Sequence, residues 1–227
     1  MQPTRPITSG SKELAARTLQ VLIVDDHLVV RRGLKDILSK GFPHASFAEA
    51  QNVAEALELV WGNPLDATIM DITMPGRSGL EALSDIKRAQ PKMPVLVLSM
   101  HDEDQYAVRA LKAGAAGYVT KDKAPEELIT ALTKVLAGGR YVSASLAEKL
   151  AGDVATPSIP APHERLSERE FQVLGLIAKG RTIKEIGAEL SLSVKTVSTY
   201  HVRLLEKMEM TRDAELIRYA IDHRLIE

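Results

Sequence analysis

The run Leu65-Asp66-Ala67-Thr68-Ile69-Met70-Asp71-Ile72-Thr73-Met74-Pro75-Gly76 decides the fold. An apolar, strand-like stretch ends in a carboxylate directly before a Pro/Gly turn, and this places Asp71 at the end of a strand, where it is expected to be exposed and addressable. Working outward, Leu19-Gln20-Val21-Leu22-Ile23-Val24 ends in the adjacent carboxylates Asp25 and Asp26. Downstream, Val95-Leu96-Val97-Leu98 ends in Ser99, and Gly117-Tyr118-Val119-Thr120 ends in Lys121. Four strands thus bring an acid pair, an acid, a hydroxyl and an ammonium to one edge of a parallel sheet, where open α/β folds place their sites.

Each residue type has a use in phosphoryl transfer. A lone carboxylate attacks a phosphoryl donor poorly because anion meets anion, so a divalent cation has to lie between them. Asp25, Asp26 and Asp71 offer hard oxygen ligands suited to Mg²⁺, which binds few protein carboxylates and keeps several waters. Ser99 can hydrogen-bond a phosphoryl oxygen, and Lys121 can pair with another or with the unmodified carboxylate. Two of these residues keep a plainer use: Ser99 also suits the cap of a helix beginning near Glu103, and Tyr118 suits a core position.

Between the strands the apolar period changes to that of helices. Leu28, Val29, Arg32, Leu34, Ile37 and Leu38 suit the first; Val53, Ala56, Leu57 and Val60 the second; Leu80, Leu83 and Ile86 the third. Segments 106–111 and 128–136 complete a reading of five strands and five helices, the last begun by Pro125 and ended by Gly138-Gly139. Residues 152–162, Gly-Asp-Val-Ala-Thr-Pro-Ser-Ile-Pro-Ala-Pro, are rich in breakers and read as a linker. Beyond it, Ser167-Glu168-Arg169-Glu170 and Thr182-Ile183-Lys184-Glu185 are capping boxes. Gly180 stops one helix, and Ser193 caps another that runs to about Met208. In that helix Val194, Val197, Tyr200 or His201, Leu204 and Met208 are expected to pack inward.

These positions together resemble a two-component response regulator of the NarL/FixJ subfamily, with a LuxR-type helix-turn-helix output. The resemblance implies a flavodoxin-like, doubly wound receiver of five parallel strands, joined to a small all-α DNA-binding domain. The boundaries expected are 1–18 for a disordered extension, 19–140 for the receiver, 141–163 for the linker and 164–227 for the output domain. It further implies that Asp71 takes a phosphoryl group from a histidine kinase, and that Asp25, Asp26, Asp71 and the Thr73 carbonyl hold Mg²⁺. Ser99 and Tyr118 match the switch pair of the family, and Lys121 its invariant lysine. In the output domain, Ser198, Thr199 and Val202 are implied to face bases, with Lys195, Thr196 and Arg203 nearer the DNA backbone. Where family members often carry Lys, Ser198 stands here, and Tyr200-His201 replaces a common His-Arg pair. The target sequence is therefore open.

Composition fits this division and excludes other classes. A chain of 227 residues suits two domains. Its formal net charge of -1 rules out a polybasic DNA binder. From His163 onward the chain carries eleven Lys or Arg and eleven Asp or Glu, so DNA affinity has to arise from a local patch. The absence of cysteine excludes disulfides and thiolate chemistry, and fits a cytoplasmic setting. Neither a signal-peptide core nor a run of transmembrane length is present. An aspartyl-phosphate phosphatase of the haloacid-dehalogenase type would need a second Asp where Thr73 stands, so the chain is read as no enzyme beyond its own phosphoryl transfer and dephosphorylation. A protein-interaction module whose helix-turn-helix no longer binds DNA is the alternative. The partners expected are a histidine kinase, promoter DNA carrying an inverted repeat, and a second copy of the chain once phosphorylated. The histidines show no ligand spacing, and Trp61 and the seven methionines read as packing.

Overall fold

The computed structural model describes residues 18–75, 77–100, 103–155, 161–223 and 225. All of the expected extension but Thr18 lies outside the described residues, as do Gly76, His101 and residues 156–160 of the linker.

Five parallel strands form one sheet in the order β2-β1-β3-β4-β5. They are β1 (Gln20–Val24), β2 (Ser46–Ala50), β3 (Ala67–Asp71), β4 (Val95–Ser99) and β5 (Gly117–Thr120). The crossovers are α1 (Leu28–Gly41), α2 (Val53–Gly62), α3 (Gly79–Ala89) and α4 (Glu103–Lys112), and α5 (Ala124–Leu136) follows the last strand. Alternation along each strand sends side chains to two apolar layers. Val21, Ile23, Ile69 and Leu98 pack with Leu34, Leu38, Leu128 and Leu132 of α1 and α5. Leu22, Val24, Met70 and Val97 pack with Val60, Leu83 and Ile86 of α2 and α3. Because β1 lies between β2 and β3, the chain order reverses at the C-terminal ends of β1 and β3, and a crevice opens there.

Three expectations about packing change. Leu28 and Val29 do begin α1, but Val29 is 82% exposed, because the first turn projects beyond the sheet it later covers. Trp61, in the last turn of α2, is 68% exposed, so it is not a core residue. Much of the stretch assigned to the linker is also helical: α6 (Ala144–Ala155). Four alanines favour a helix there, the Ser143 hydroxyl accepts from the Leu146 amide at its start, and Leu146 is buried. Before it, Tyr141 bridges Gly117 and covers part of the free edge of β5.

A 3-10 turn (Pro162–Arg165) leads into the C-terminal helices α7 (Glu168–Ala178), α8 (Ile183–Glu189), α9 (Val194–Met208) and α10 (Asp213–Asp222). Both capping boxes form: Ser167 with Glu170, and Thr182 with Glu185. The turn between α8 and α9 is tight enough that a Cβ on Gly187 would lie 2.8 Å from the Leu192 carbonyl oxygen. Only glycine fits there without displacing backbone.

Candidate functional site

The crevice gathers Asp25, Asp71 and Lys121. Lys121 Nζ, at the end of β5, donates at 2.6 Å to Asp25 Oδ2 and at 2.6 Å to Asp71 Oδ2. Asp71 Oδ1 accepts from the Thr73 amide at 2.8 Å. The turn after β3 therefore orients the carboxylate along the strand direction. Gly79 lets α3 begin against this same strand end: a Cβ there would meet Asp71 O at 2.7 Å and Ile72 Cα at 2.4 Å.

Contrary to the exposure expected, Asp71 is only 2% exposed. Lys121 and the neighbouring loops cover it, although the crevice mouth lies beside it. Burial pushes the Asp71 carboxyl above its ordinary range, and Lys121 and the Thr73 amide offset this only in part. Burial works against the Lys121 ammonium too, but Asp71 and Asp25 together raise it. Mutual contact favours the charged form of both partners and opposes their burial.

Asp25 and Asp26 sit where β1 turns into α1. Asp25 Oδ1 accepts from the His27 amide at 2.8 Å. His27 Nδ1 lies 3.0 Å from Asp26 Oδ1 and 3.3 Å from Asp25 Oδ1, a contact the histidine spacing gave no sign of. Asp25, Asp26 and His27 each place one ligand atom within 4.8 Å of the others. Asp26 Oδ1 is buried without hydrogen-bond geometry to any described group. A buried carboxylate oxygen in that condition, beside the Asp25 carboxylate and the His27 ring nitrogen, suits a small hard cation.

Ser99 and Tyr118 occupy adjacent strands of the same edge, with Val97 opposite Tyr118 and Ser99 opposite Thr120. Both are fully buried. Tyr118 lies inside the core, the plainer of its two uses. Tyr118 shares one apolar cluster with Tyr106 on α4, whose hydroxyl is pushed up by burial first and by Glu168 next. From Tyr106 the contacts cross to the C-terminal domain. Its ring meets Phe171 edge-on at 5.4 Å, and the Arg109 guanidinium lies 4.1 Å over that same ring. Arg109 also donates to the carbonyls of Leu166, at 2.9 Å, and His163. No residue pattern points to this seam.

On α9, the residues expected to meet DNA share one open face. Lys195, Ser198, Thr199, Val202 and Arg203 are exposed, and with Glu206 they line one shallow groove of about 450 Å³. Thr196, half-buried, lies beside it and takes part in the cap, its amide donating to Ser193 Oγ at 3.1 Å. Val197, Leu204 and Met208 pack inward as expected. Val194 does not. At 52% exposed it stands in the first turn, before the helix reaches α7. His201 turns to Asp213 of α10, Nε2 to Oδ1 at 2.6 Å. Neither Lys195 nor Arg203 is in an ion pair among the described residues.

Residues 21–133 match the response regulator receiver domain family, and residues 164–220 match the luxR family of bacterial regulatory proteins. The chain is 36% identical over 208 residues to the response regulator UvrY of Escherichia coli strain K12, covering 91% of this chain and 95% of the relative. To the response regulator GacA of Pseudomonas aeruginosa it is 38% identical over 210 residues, covering 92% and 98%. Among solved structures it is similar to RcsB of Salmonella enterica serovar Typhimurium bound to the promoter rprA with the phosphomimetic BeF3⁻. That likeness has a TM-score of 0.61 at 27% identity, covering 89% of this chain and 98% of the other.

Proposed function

Given that the chain belongs to the two-component response regulators, with a receiver domain followed by a luxR-family regulatory domain, we propose that Asp71 accepts a phosphoryl group from a histidine kinase and so controls promoter binding by α9. The observation that carries this is the Lys121 ammonium held at 2.6 Å from both Asp25 and Asp71. In the transfer, a carboxylate oxygen of Asp71 bonds to phosphorus as the phosphorus–nitrogen bond of the donor breaks. Lys121 exchanges its contact with that carboxylate for one with the new phosphoryl oxygens. Ser99, at the adjacent strand end, donates its hydroxyl to another. Asp25, Asp26, Asp71 and the Thr73 carbonyl would hold Mg²⁺, which supplies charge neutralisation for the transferred group. No other substrate is turned over, and the reading calls for a cytoplasmic protein. Among the described residues no helix is long and apolar enough to cross a membrane.

Because Tyr118 is already buried, coupling is assigned to the seam it adjoins. Loss of a contact at the end of β4 shifts α4, and with it Tyr106 and Arg109 against Phe171. A released output domain can pair with a second copy. Two linked readers on an inverted repeat gain affinity through effective concentration, which one near-neutral reader cannot supply from bulk charge.

Selection of bound fragments from a random DNA pool, with and without beryllofluoride and Mg²⁺, tests the whole reading. The expected result is enrichment of an inverted repeat that strengthens with the mimic, with a doubling of mass by light scattering. Asp71→Asn should abolish both responses, along with the acid-labile phosphoryl group that intact-mass measurement detects after a small phosphodonor. Equal labelling of that variant would sink the Asp71 assignment. A helix-turn-helix that enriches no fragments and shows no salt-dependent binding would favour the interaction-module reading instead.

A further inference from the structure

Arg31 lies in the first turns of α1 and is nearly buried, an unusual condition for an arginine unless its charge is engaged. Its Nη1 donates to the backbone carbonyl of Asp25 at 2.7 Å. Its Nε points at Glu49 Oε2 of β2, 3.4 Å away, and Lys35 Nζ holds the other Glu49 oxygen at 3.2 Å. The Asp25 amide donates across the sheet to Ala50 O at 3.2 Å. Both backbone polar groups of Asp25 are therefore tied to fixed elements, one through β2 and one through Arg31.

The carbonyl that Arg31 grips belongs to the peptide unit whose nitrogen is that of Asp26. Holding this plane fixes the direction in which the Asp26 Cα leaves the strand, and with it the aim of Asp26 Oδ1, the buried oxygen that His27 Nδ1 approaches at 3.0 Å. Without Arg31 the peptide is free to rotate. A ligand set loosened in this way binds a cation more weakly, because ordering it becomes part of the binding cost.

We propose that Arg31, braced by Glu49, is a positioning residue that sets the Asp25-Asp26 peptide in the geometry required for divalent-cation binding. This rests on the reading of the acidic crevice as a cation site. Its sign is the distinguishing feature. A guanidinium near a cation repels it, so a purely electrostatic role for Arg31 predicts tighter cation binding when the charge is removed. A positioning role predicts weaker binding.

The test is direct titration of the purified full chain with Mn²⁺ alone, following the free-ion electron paramagnetic resonance signal, in wild type, Arg31→Gln, Arg31→Lys, Glu49→Gln and the Arg31→Gln/Glu49→Gln double variant. Arg31→Gln is expected to raise the dissociation constant about tenfold, the scale of losing an outer-shell support. Arg31→Lys, which keeps the charge but not the forked reach, should lie between it and wild type. Glu49→Gln should weaken binding by a smaller factor, and should add nothing in the Arg31→Gln background if it acts through Arg31. Unchanged or tightened binding in Arg31→Gln overturns the proposal, and so does full additivity with Glu49→Gln. Should Arg31→Gln fail to fold by circular dichroism, Arg31→Lys and Glu49→Gln decide, and wild-type affinity in both overturns it. Absence of Mn²⁺ binding by the wild type itself would instead remove the cation-site reading beneath the proposal.

Discussion

Lys121 is the residue on which the electrostatics of the crevice turn, since its one ammonium neutralises two carboxylates that are both nearly fully buried. Removing one partner of a buried ion network leaves charge with neither water nor counterion, a loss of about 3 kcal/mol or more. In Lys121→Met, measured in a chelator, Asp71 loses its main opposing partner and its carboxyl rises further above the 3.8 of an unperturbed aspartate. A carboxyl whose folded pKa is raised binds more protons folded than unfolded, so it penalises the fold increasingly as pH rises above 3.8. Denaturation by urea should therefore show the variant well below wild type at pH 7.5 and closer to it at pH 5. Equal stability at both pH values would mean that the ammonium contributes nothing to the fold. Asp71, Asp25 and Lys121 were legible because each interrupts an apolar run at its end, a break that only a site or a turn explains. Arg31 and Glu49 were not. An arginine on an amphipathic helix and a glutamate in a half-exposed edge strand look the same in sequence whether solvated or braced against each other, and only the backbone path reveals the difference.

At the scale of elements, α9 combines a defined start with an open face. The Ser193 hydroxyl accepts from the Thr196 amide at 3.1 Å, so Ser193→Ala should cost about 1 kcal/mol of output-domain stability by thermal unfolding. A negligible change would mean the cap is replaced by water. Lys195 and Arg203 project into the groove without a charged partner among the described residues, leaving them available to phosphates. Lys195→Ala should weaken binding to all sequences alike and lower the salt slope by about one unit. Thr199 now donates its hydroxyl to the Lys195 carbonyl at 3.0 Å. Changing it should instead alter which bases are preferred, as read by repeating the fragment selection. If Lys195→Ala leaves affinity and slope untouched, the reading face lies elsewhere. The helices with capping boxes were legible to their first residues, because cap and return carboxylate are both local. The edge strand β2 was counted but showed no apolar run of its own, since Ser46 is exposed and its next three residues are only partly covered. Helix α6 was missed because Gly152 and the following prolines outweigh its alanines by inspection, whereas burial of Leu146 against the receiver decides the matter in three dimensions.

For the whole molecule, one apolar cluster runs from the receiver layer under α2 to α4 through Tyr106 into Phe171, Leu174 and Leu216 of the output domain. Sequence could not show this, because contacts between domains leave no period in either. The seam contains one group whose charge it disfavours. Glu168 is buried beside Arg109, its Oε2 has no hydrogen-bond partner among the described residues, and its Oε1 accepts only from Gln172 Nε2 at 3.1 Å. Burial pushes its carboxyl up from 4.5 to about 7, against the attraction of Arg109 and with added repulsion from Glu81. The docked arrangement therefore binds more protons than the separated one, and docking is fully supported below about pH 4.5 and weakens as pH rises through about 7. If all of the shift came from docking, the penalty at high pH would be about 3 kcal/mol, from ~1.4 kcal/mol per unit; burial by α7 itself makes this an upper bound. Since the chain has no cysteine, Arg88→Cys on the receiver and Lys179→Cys on the output domain provide unique dye sites for energy transfer. Transfer should report a single docked population at pH 5.5 and a growing separated one at pH 8. Glu168→Gln should remain docked at both, because its amide carries no charge to desolvate. Arg109→Ala should separate at both, having lost two carbonyl contacts and the ring of Phe171. Transfer that is flat with pH in the wild type would show that Glu168 keeps the same protonation docked or free, and that apolar contact alone closes the seam.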